Sequence, residues 1–219
     1  MKNYRRRVYA LIAAAAVNLI VMLSLIPGLP EKVPCHFNYE FIVDGMGSRW
    51  FMALCPAITL AFAVSIAVEL KIRGYSYANT KPLTIFAVVF EAFFIALGWM
   101  LFAMCGTGAQ LGDRVKMPLD LLMNLGMSIL FIVLGNYLPT VQPNRTFGIK
   151  MKKTLNNEEI WRRTHRFGGP VFVCAGIFSA VCGLIGYFGN IAWLSFAGLV
   201  GGIFGAIVII MIYAAKQAE

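Results

Sequence analysis

The chain has 219 residues, of which 59% are hydrophobic and only 13% are charged, and its formal net charge is +9. A soluble globular domain would carry about 25% charged residues, so the composition excludes an ordinary soluble protein. The mean hydropathy of +0.74 indicates an integral membrane protein. Its function must therefore be sought in short loops and in rare polar residues within the apolar segments.

Six apolar runs account for most of the chain. Each has close to the ~20 residues that a helix needs to cross the hydrocarbon core of a bilayer. The runs are continuously apolar, whereas transmembrane strands would alternate in polarity. The sequence therefore predicts an all-α integral membrane protein with six transmembrane helices, at approximately 8–27, 50–70, 83–105, 119–139, 169–188 and 192–214.

The basic residues predict on which side of the membrane each loop lies. Of the 19 Lys and Arg residues, 15 lie before the first run, between the second and third, between the fourth and fifth, or after the last. Short loops rich in Lys and Arg stay in the cytoplasm. We expect both termini to be cytoplasmic, and the net charge reflects this topology rather than direct nucleic-acid binding. The first predicted membrane region is 1–118, with an extracellular loop 28–49; the second is 119–219, with a cytoplasmic loop 140–168.

The predicted outer loop combines prolines with polar and aromatic residues. Prolines at positions 27, 30 and 34 exclude a helix and favour an extended path. His36, Asn38 and Asp44 supply hydrogen-bonding groups next to aromatic residues at 37, 39 and 41. Two interpretations stay open: these side chains bind a ligand from outside, or they bond to one another and fix the loop.

Glu91 is the one acid deep inside an apolar run. An ionisable residue at mid-membrane is costly and is a functional hypothesis by default. It could join polar residues at similar depth on other spans, namely Asn18, Thr59, Ser128 and Ser179. Such a cluster could bind a ligand, relay a proton or hold helices together.

Cysteine and glycine spacing give two further expectations. The five cysteines and two histidines show no metal-ligand spacing, so we expect no metal site, cofactor or catalytic residue. Pairing of Cys35 with Cys105 stays open. The last span contains Gly198-x-x-x-Gly202 and Gly201-x-x-x-Gly205, which favours close helix packing inside the molecule over dimerisation.

The predicted inner loop is the most distinctive segment. Prolines at 139 and 143 end the preceding helix, and Asn156 with Glu159 resembles a capping box. A short helix over 157–167 is expected to lie on the bilayer surface, because Trp161 suits the interface and Arg162 and its neighbours suit anionic headgroups. Trp161, Thr164 and His165 are expected to fix the shape of this helix against the bundle, because aromatic and polar residues on such a helix need partners. The alternative is a docking surface for a cytosolic protein.

The inner loop contains a long motif with particular residues at fixed spacing. It comprises Gly135, Asn136, Pro139, Asn144, Gly148, Ile149, Lys150, Thr154, Leu155, Trp161, Thr164, His165 and Gly168. This motif resembles that of the SdpI family of bacterial immunity proteins. The outer Pro34-x-His36-Phe37-Asn38 with Asp44 is similar to a small domain often found ahead of that family's motif.

Two departures from the family pattern concern these motifs. Lys152 and Lys153 stand where the family usually has Pro-Trp before the Thr-Leu pair. In the outer motif, Phe41 and Val43 stand where a Gly and a Pro are usual.

The resemblance implies a multi-pass, non-enzymatic protein of the bacterial cytoplasmic membrane that protects the cell against a secreted peptide toxin. His36, Asn38, Asp44 and Glu91 are then the candidate toxin-binding residues. In some members it also implies capture of a cytosolic transcriptional repressor, for which Lys150, Lys152, Lys153 and Arg162 are candidates. Two alternatives stay open: a small proton-coupled transporter or exporter centred on Glu91, and a membrane-embedded enzyme using His36 or His165.

The predicted topology can be tested by labelling a single cysteine introduced at Asn157, with the native cysteines replaced. We expect no reaction with a membrane-impermeant maleimide in intact cells and full reaction after permeabilisation, because the loop carries much of the positive charge. A cysteine at Leu111 is the control for the other side. Labelling at position 157 from outside intact cells would contradict the topology.

Overall fold

The computed structural model describes residues 2–74, 77–114, 118–144 and 147–217. In these ranges the chain forms helices and one β-hairpin. The elements are α1 (Lys2–Leu25), β1 (Lys32–Phe37), β2 (Val43–Ser48), α2 (Leu54–Arg73), α3 (Thr80–Cys105), α4 (Leu119–Tyr137), α5 (Lys152–Asn156), α6 (Glu158–Phe188) and α7 (Ala192–Lys216). Six of the helices, all except α5, are long and apolar enough to cross a membrane, which confirms the six predicted spans.

The loops and chain ends gather at two opposite faces. We call one the terminal face; it holds the start of α1, the end of α7, residues 77–79 before α3, and the segments 138–144 and 147–157. There the Lys153 ammonium lies 3.5 Å from the Ala215 carbonyl oxygen. The other, the hairpin face, holds the β-hairpin, the α3–α4 connection and the α6–α7 turn. There the Arg114 guanidinium donates to Asn190 Oδ1 at 3.1 Å.

Helices α1, α2 and α3 pack as one layer of the bundle. Small side chains at the contacts, such as Ala15, Ala63 and Ala87, let the larger side chains of Leu11 and Leu83 pack between the helices. On the hairpin side the same helices enclose a second cluster that includes Met22, Met52 and Cys105. All five cysteines are free thiols in the structure.

Helices α4, α6 and α7 approach one another through glycines. A Cβ added at Gly135 would lie 2.5 Å from the Gly169 carbonyl oxygen, and one at Gly183 would lie 2.6 Å from Asn124 Cβ. Only glycine permits such contacts. The same holds at Gly176, Gly198 and Gly202, so the expected internal packing of the last span is confirmed for Gly198 and Gly202. Gly201 and Gly205 instead meet open space.

The outer loop forms a β-hairpin, which the all-α prediction did not include. Strands β1 and β2 pair antiparallel, with irregularities around His36. Glycines on β2 permit the close pairing, because a Cβ at Gly45 would lie 2.8 Å from His36 Cβ. The prediction of an extended path is confirmed. The pairing of the two strands was not predicted.

The prediction of a separate surface helix at 157–167 is wrong. Helix α6 runs without a break from Glu158 to Phe188 and contains Pro170. The two preceding glycines pack tightly: a Cβ at Gly168 would meet Ile149, and one at Gly169 would meet Pro139. This packing outweighs the helix-ending tendency of the Gly-Gly-Pro sequence. The N-cap is Asn157 rather than Asn156, and its Oδ1 accepts from the Glu159 and Ile160 amides at 2.9 and 3.1 Å.

A pair of hydrogen bonds joins the two predicted membrane regions at the terminal face. The Asn79 side-chain amide donates to the Gln142 carbonyl oxygen at 3.1 Å, and Asn79 Oδ1 accepts from the Gln142 amide at 2.9 Å. Asn79 is fully buried. The α2–α3 connection is thus held against the segment that follows α4.

Candidate functional site

The His36 and Asp44 side chains are paired on the hairpin. His36 pairs with Gly45 and Phe37 pairs with Val43, so Asp44 is an extra residue on β2. This bulge places Asp44 Oδ1 2.5 Å from His36 Nδ1. Both side chains are largely exposed. The pair therefore locks the hairpin, which supports the interpretation that these residues fix the loop.

The tip of the hairpin is a tight turn organised by Asn38. Its Oδ1 accepts from the backbone amides of Glu40 and Ile42 at 2.9 and 3.0 Å, the pattern of an Asx turn. Phe41 then adopts a positive φ of 58°. Such a conformation is strained for a bulky residue and is natural for glycine.

Two hollows lie next to this tip. The first, of about 350 Å³, is apolar and extends between α3, α4 and α7. The second, of about 610 Å³, is lined by both polar and apolar residues, including Glu40, Arg114 and Trp193. Tyr39 borders both. The residues lining the first hollow include Phe37, Phe41, Leu97, Leu101, Met123 and Phe196.

Glu91 lies apart from the hairpin. It follows Leu83 and Ala87 on the face of α3 that packs against α1 and α2, is 5% exposed, and its Oε1 has no hydrogen-bond partner among the described residues. The expected midplane cluster does not form from its proposed members. Asn18 accepts from the Trp99 indole, and Ser179 donates to the Gly198 carbonyl oxygen.

Trp161 and His165 form the centre of the terminal-face motif. Their rings stack with centroids 4.0 Å apart at an interplanar angle of 18°. Trp161 is fully buried, and its indole N–H donates to the Val141 carbonyl oxygen at 2.8 Å. Trp161 is therefore packed inside the protein, as expected for Trp161, Thr164 and His165, and does not face lipid headgroups. The indole hydrogen bond joins α6 to the segment that follows α4, and Trp161 is a core residue.

The hydrogen bonds of His165 define its protonation state. Nδ1 lies 2.8 Å from the Trp161 carbonyl oxygen, which can only accept, so Nδ1 carries the proton. Nε2 lies 3.0 Å from the Ile149 amide, which can only donate, so Nε2 is unprotonated. The imidazole is thus neutral with one tautomer fixed. Both nitrogens are occupied, which leaves neither available as a metal ligand or catalytic base.

The loop over these rings is folded by local side-chain hydrogen bonds. Asn144 Oδ1 accepts from the Phe147 amide at 2.7 Å. Thr154 Oγ1 accepts from the Met151 amide and donates to the Ile149 carbonyl oxygen, both at 2.9 Å. Gly148 lies directly over the rings with a φ of 123°. The structure thus brings together Asn144, Gly148, Thr154, Trp161 and His165.

The remaining predicted residues of this loop lie around the motif. Lys150, Lys152 and Lys153 are exposed, as is Arg162, which is 3.6 Å from Glu158. Thr164 is fully buried, and its hydroxyl has no partner among the described residues. Asn136 is exposed on α4, away from the stacked rings.

Sequence reasoning missed the residues that other helices contribute to the hairpin face. Arg114, Met123, Asn124 and Phe196 line the hollows. Their types are ordinary for loops and membrane helices, so no local pattern marks them. Only the packing of α4 and α7 beside the hairpin brings them to the site.

We expect Gly148→Ala to destabilise the terminal-face motif. An added Cβ would lie 2.5 Å from His165 Nε2, and the φ of 123° strains any other residue. The expected loss is about 2 kcal/mol or more, measured as a lower unfolding temperature in detergent. Gly108→Ala is the matched control, because Gly108 also has a positive φ, of 72°, but open space around it. Equal shifts in the two variants would show that contact with His165 is unimportant.

Comparison with known proteins agrees with this division into a hairpin and a terminal-face motif. The model of the SdpI/YfhL protein family matches residues 140–214, and that of a domain of unknown function (DUF1648) matches residues 13–60. The immunity protein SdpI of Bacillus subtilis (strain 168) is 32% identical over 177 residues, which cover 78% of each protein. No solved structure matches the chain. The identity and its coverage confirm the resemblance in the motifs: the chain belongs to the SdpI/YfhL protein family.

Proposed function

We propose that this protein is a non-enzymatic immunity protein of the bacterial cytoplasmic membrane, which protects the cell by engaging a secreted antimicrobial peptide at the hairpin face. The observation that carries the proposal is the aromatic hairpin tip over an apolar hollow, in a chain related to an immunity protein. The alternative of an enzyme gains no support from His165, because the partners described above occupy both of its ring nitrogens.

The orientation follows from charge. Because 15 of the 19 Lys and Arg residues fall in the sequence segments predicted to be cytoplasmic, both termini lie in the cytoplasm and the hairpin face lies outside. A secreted peptide therefore meets the hairpin first. The outer hairpin belongs to the region 1–118, and the inner motif belongs to the region 119–219.

The two hollows suit an amphipathic peptide. An apolar segment can enter the hollow of about 350 Å³ between α3, α4 and α7, and polar groups can bind in the adjoining hollow beside Glu40 and Arg114. Aromatic residues at such a site supply large contact area at low cost in conformational entropy. Tyr39, on the border of both hollows, can contact both parts of the peptide.

The strain at Phe41 supports a binding role for the tip. A positive φ costs a bulky residue on the order of 1 kcal/mol or more, and glycine is usual in the family at this position. The aromatic ring at 41 instead lines the apolar hollow. The position of this ring in the wall of the hollow explains why a strained aromatic residue stands at 41.

We expect Phe41→Gly to weaken protection while leaving the amount of folded protein unchanged or higher. Glycine relieves the backbone strain, and loss of the ring removes a wall of the hollow. The measurement is survival of a toxin-sensitive strain expressing each variant, titrated with candidate secreted peptides. His36→Ala is expected to weaken protection as well, because it releases the bulge that carries Asp44.

Leu111→Ala is the control for this experiment, since Leu111 is exposed on the same face and lines neither hollow. Membrane levels of all variants are compared by immunoblot. If Phe41→Gly protects fully at a normal membrane level, the hairpin tip is not part of the binding site. Failure of the wild-type protein to protect against any peptide would refute the immunity function itself.

The transporter alternative requires a cavity at Glu91. None of the four cavities described in the structure is lined by that residue. Glu91 is instead buried within the helix bundle. Glu91 is thus a weaker candidate for toxin contact than the hairpin.

Repressor capture at the terminal face is a second part of the proposal. Lys152 and Lys153 are exposed at the start of α5, where they present positive charge to the cytosol. Such charges steer association and make it sensitive to salt. Thr154 of α5 is buried, whereas both lysines are accessible to a partner.

We expect Lys152→Gln/Lys153→Gln to abolish toxin-dependent recovery of a cytosolic repressor without reducing immunity. The measurement is affinity purification of the full-length protein from toxin-treated and untreated cells, at low and high salt. Lys71→Gln is the control, because it removes one exposed charge elsewhere on the terminal face. If the wild type recovers no toxin-dependent partner, immunity stands and the signalling role is absent.

A further inference from the structure

A second apolar cavity lies at the terminal face, far from the hairpin. Its volume is about 410 Å³, within the range of sites that bind small molecules. Phe86 of α3 lies on one side, and residues of α4, α6 and α7 form the rest with the loop segment 147–150. The other lining residues are Leu134, Leu138, Phe172, Ile207, Ile210 and Met211.

This cavity opens towards the hydrocarbon of the membrane. Leu138 and Ile210 are buried and form its inner wall, at 1% and 2% exposure. Ile207 and Met211 are 39% and 51% exposed on the surface of α7, which in a spanning helix faces lipid. An acyl chain can therefore enter from the bilayer without crossing a polar region.

A single charged residue, Lys150, stands among these apolar lining residues. It is exposed and belongs to the terminal face, at the end of the bundle to which the Lys- and Arg-rich segments of the sequence are assigned. An ammonium group at the edge of an apolar cavity, at the depth where lipid headgroups begin, matches a phosphate attached to an acyl chain. A peptide toxin arriving from the hairpin face would meet the opposite end of the bundle.

From this geometry we propose that the cavity is a binding site for an anionic phospholipid of the surrounding membrane. One acyl chain lies between Phe86 and α7, and the headgroup phosphate contacts Lys150. The apolar volume selects a lipid chain, and the positive charge selects an anionic headgroup over a zwitterionic one.

The site is built into the terminal-face motif. Gly148, Ile149 and Lys150 line the cavity, while the Ile149 amide donates to His165 and a Cβ on Gly148 would strike His165. A bound lipid therefore supports the loop from the membrane side while the Trp161–His165 stack supports it from within. Loss of the lipid is expected to loosen the same loop.

The test uses the full-length protein, purified in detergent and stripped of lipid. Native mass spectrometry then measures retention of added dioleoylphosphatidylglycerol and dioleoylphosphatidylcholine. We expect preferential retention of the phosphatidylglycerol and a higher unfolding temperature with it. Lys150→Gln should weaken its binding about fivefold, the effect of about one basic contact near the membrane surface. Met211→Trp should abolish retention by filling the cavity.

Two controls match these variants. Lys71→Gln makes the same charge change away from the cavity, and Ile212→Trp adds the same ring at a neighbouring exposed position of α7 that does not line it. Both should bind phosphatidylglycerol as the wild type does. Equal retention of the two lipids by the wild type, or equal effects of Lys150→Gln and Lys71→Gln, would overturn the proposal. If Met211→Trp fails to fold, the comparison of Lys150→Gln with Lys71→Gln still tests the proposal.

Discussion

The close approach of α4, α6 and α7 is the constraint on which the terminal face depends. Within a bilayer, helices gain little from burying apolar surface, so contact between backbones must supply the attraction. Gly135 and Gly169 bring α4 and α6 together just below the terminal face. That contact sets where Pro139 lies, and the following segment then runs over α6. Trp161 and His165 are four residues apart, and they can stack because this part of the chain belongs to the continuous helix α6.

The two faces of the molecule differ in how their residues are held. At the terminal face, the motif is buried, and a neutral histidine joins loop and helix through both ring nitrogens. At the hairpin face, the key side chains are exposed, and the turn tolerates a strained aromatic residue at 41. The terminal-face motif is thus held by buried contacts, whereas the hairpin is held by hydrogen bonds among side chains that are largely at the surface.

The sequence predicted the spans because runs of about 20 apolar residues have one stable arrangement in a bilayer. It did not predict the course of α6, because Gly168, Gly169 and Pro170 are residues that end helices in water. Here Gly168 and Gly169 pack against Ile149, Gly135 and Pro139 instead. The sequence did not predict the cavities either, because their walls come from helices far apart in the chain. The packing of Trp161, Thr164 and His165 against the bundle was expected from their residue types, but their place in one continuous helix with the following span was not.

The bonds between Asn79 and Gln142 carry an evolutionary consequence. On one side the contact uses a specific side-chain amide, while on the other it uses only the backbone N–H and carbonyl of Gln142. Any residue except proline could therefore replace Gln142 without breaking the joint. Separate family models match the two halves, and a joint of this kind lets either half diverge, or be exchanged by recombination, without requiring compensating changes at residue 142.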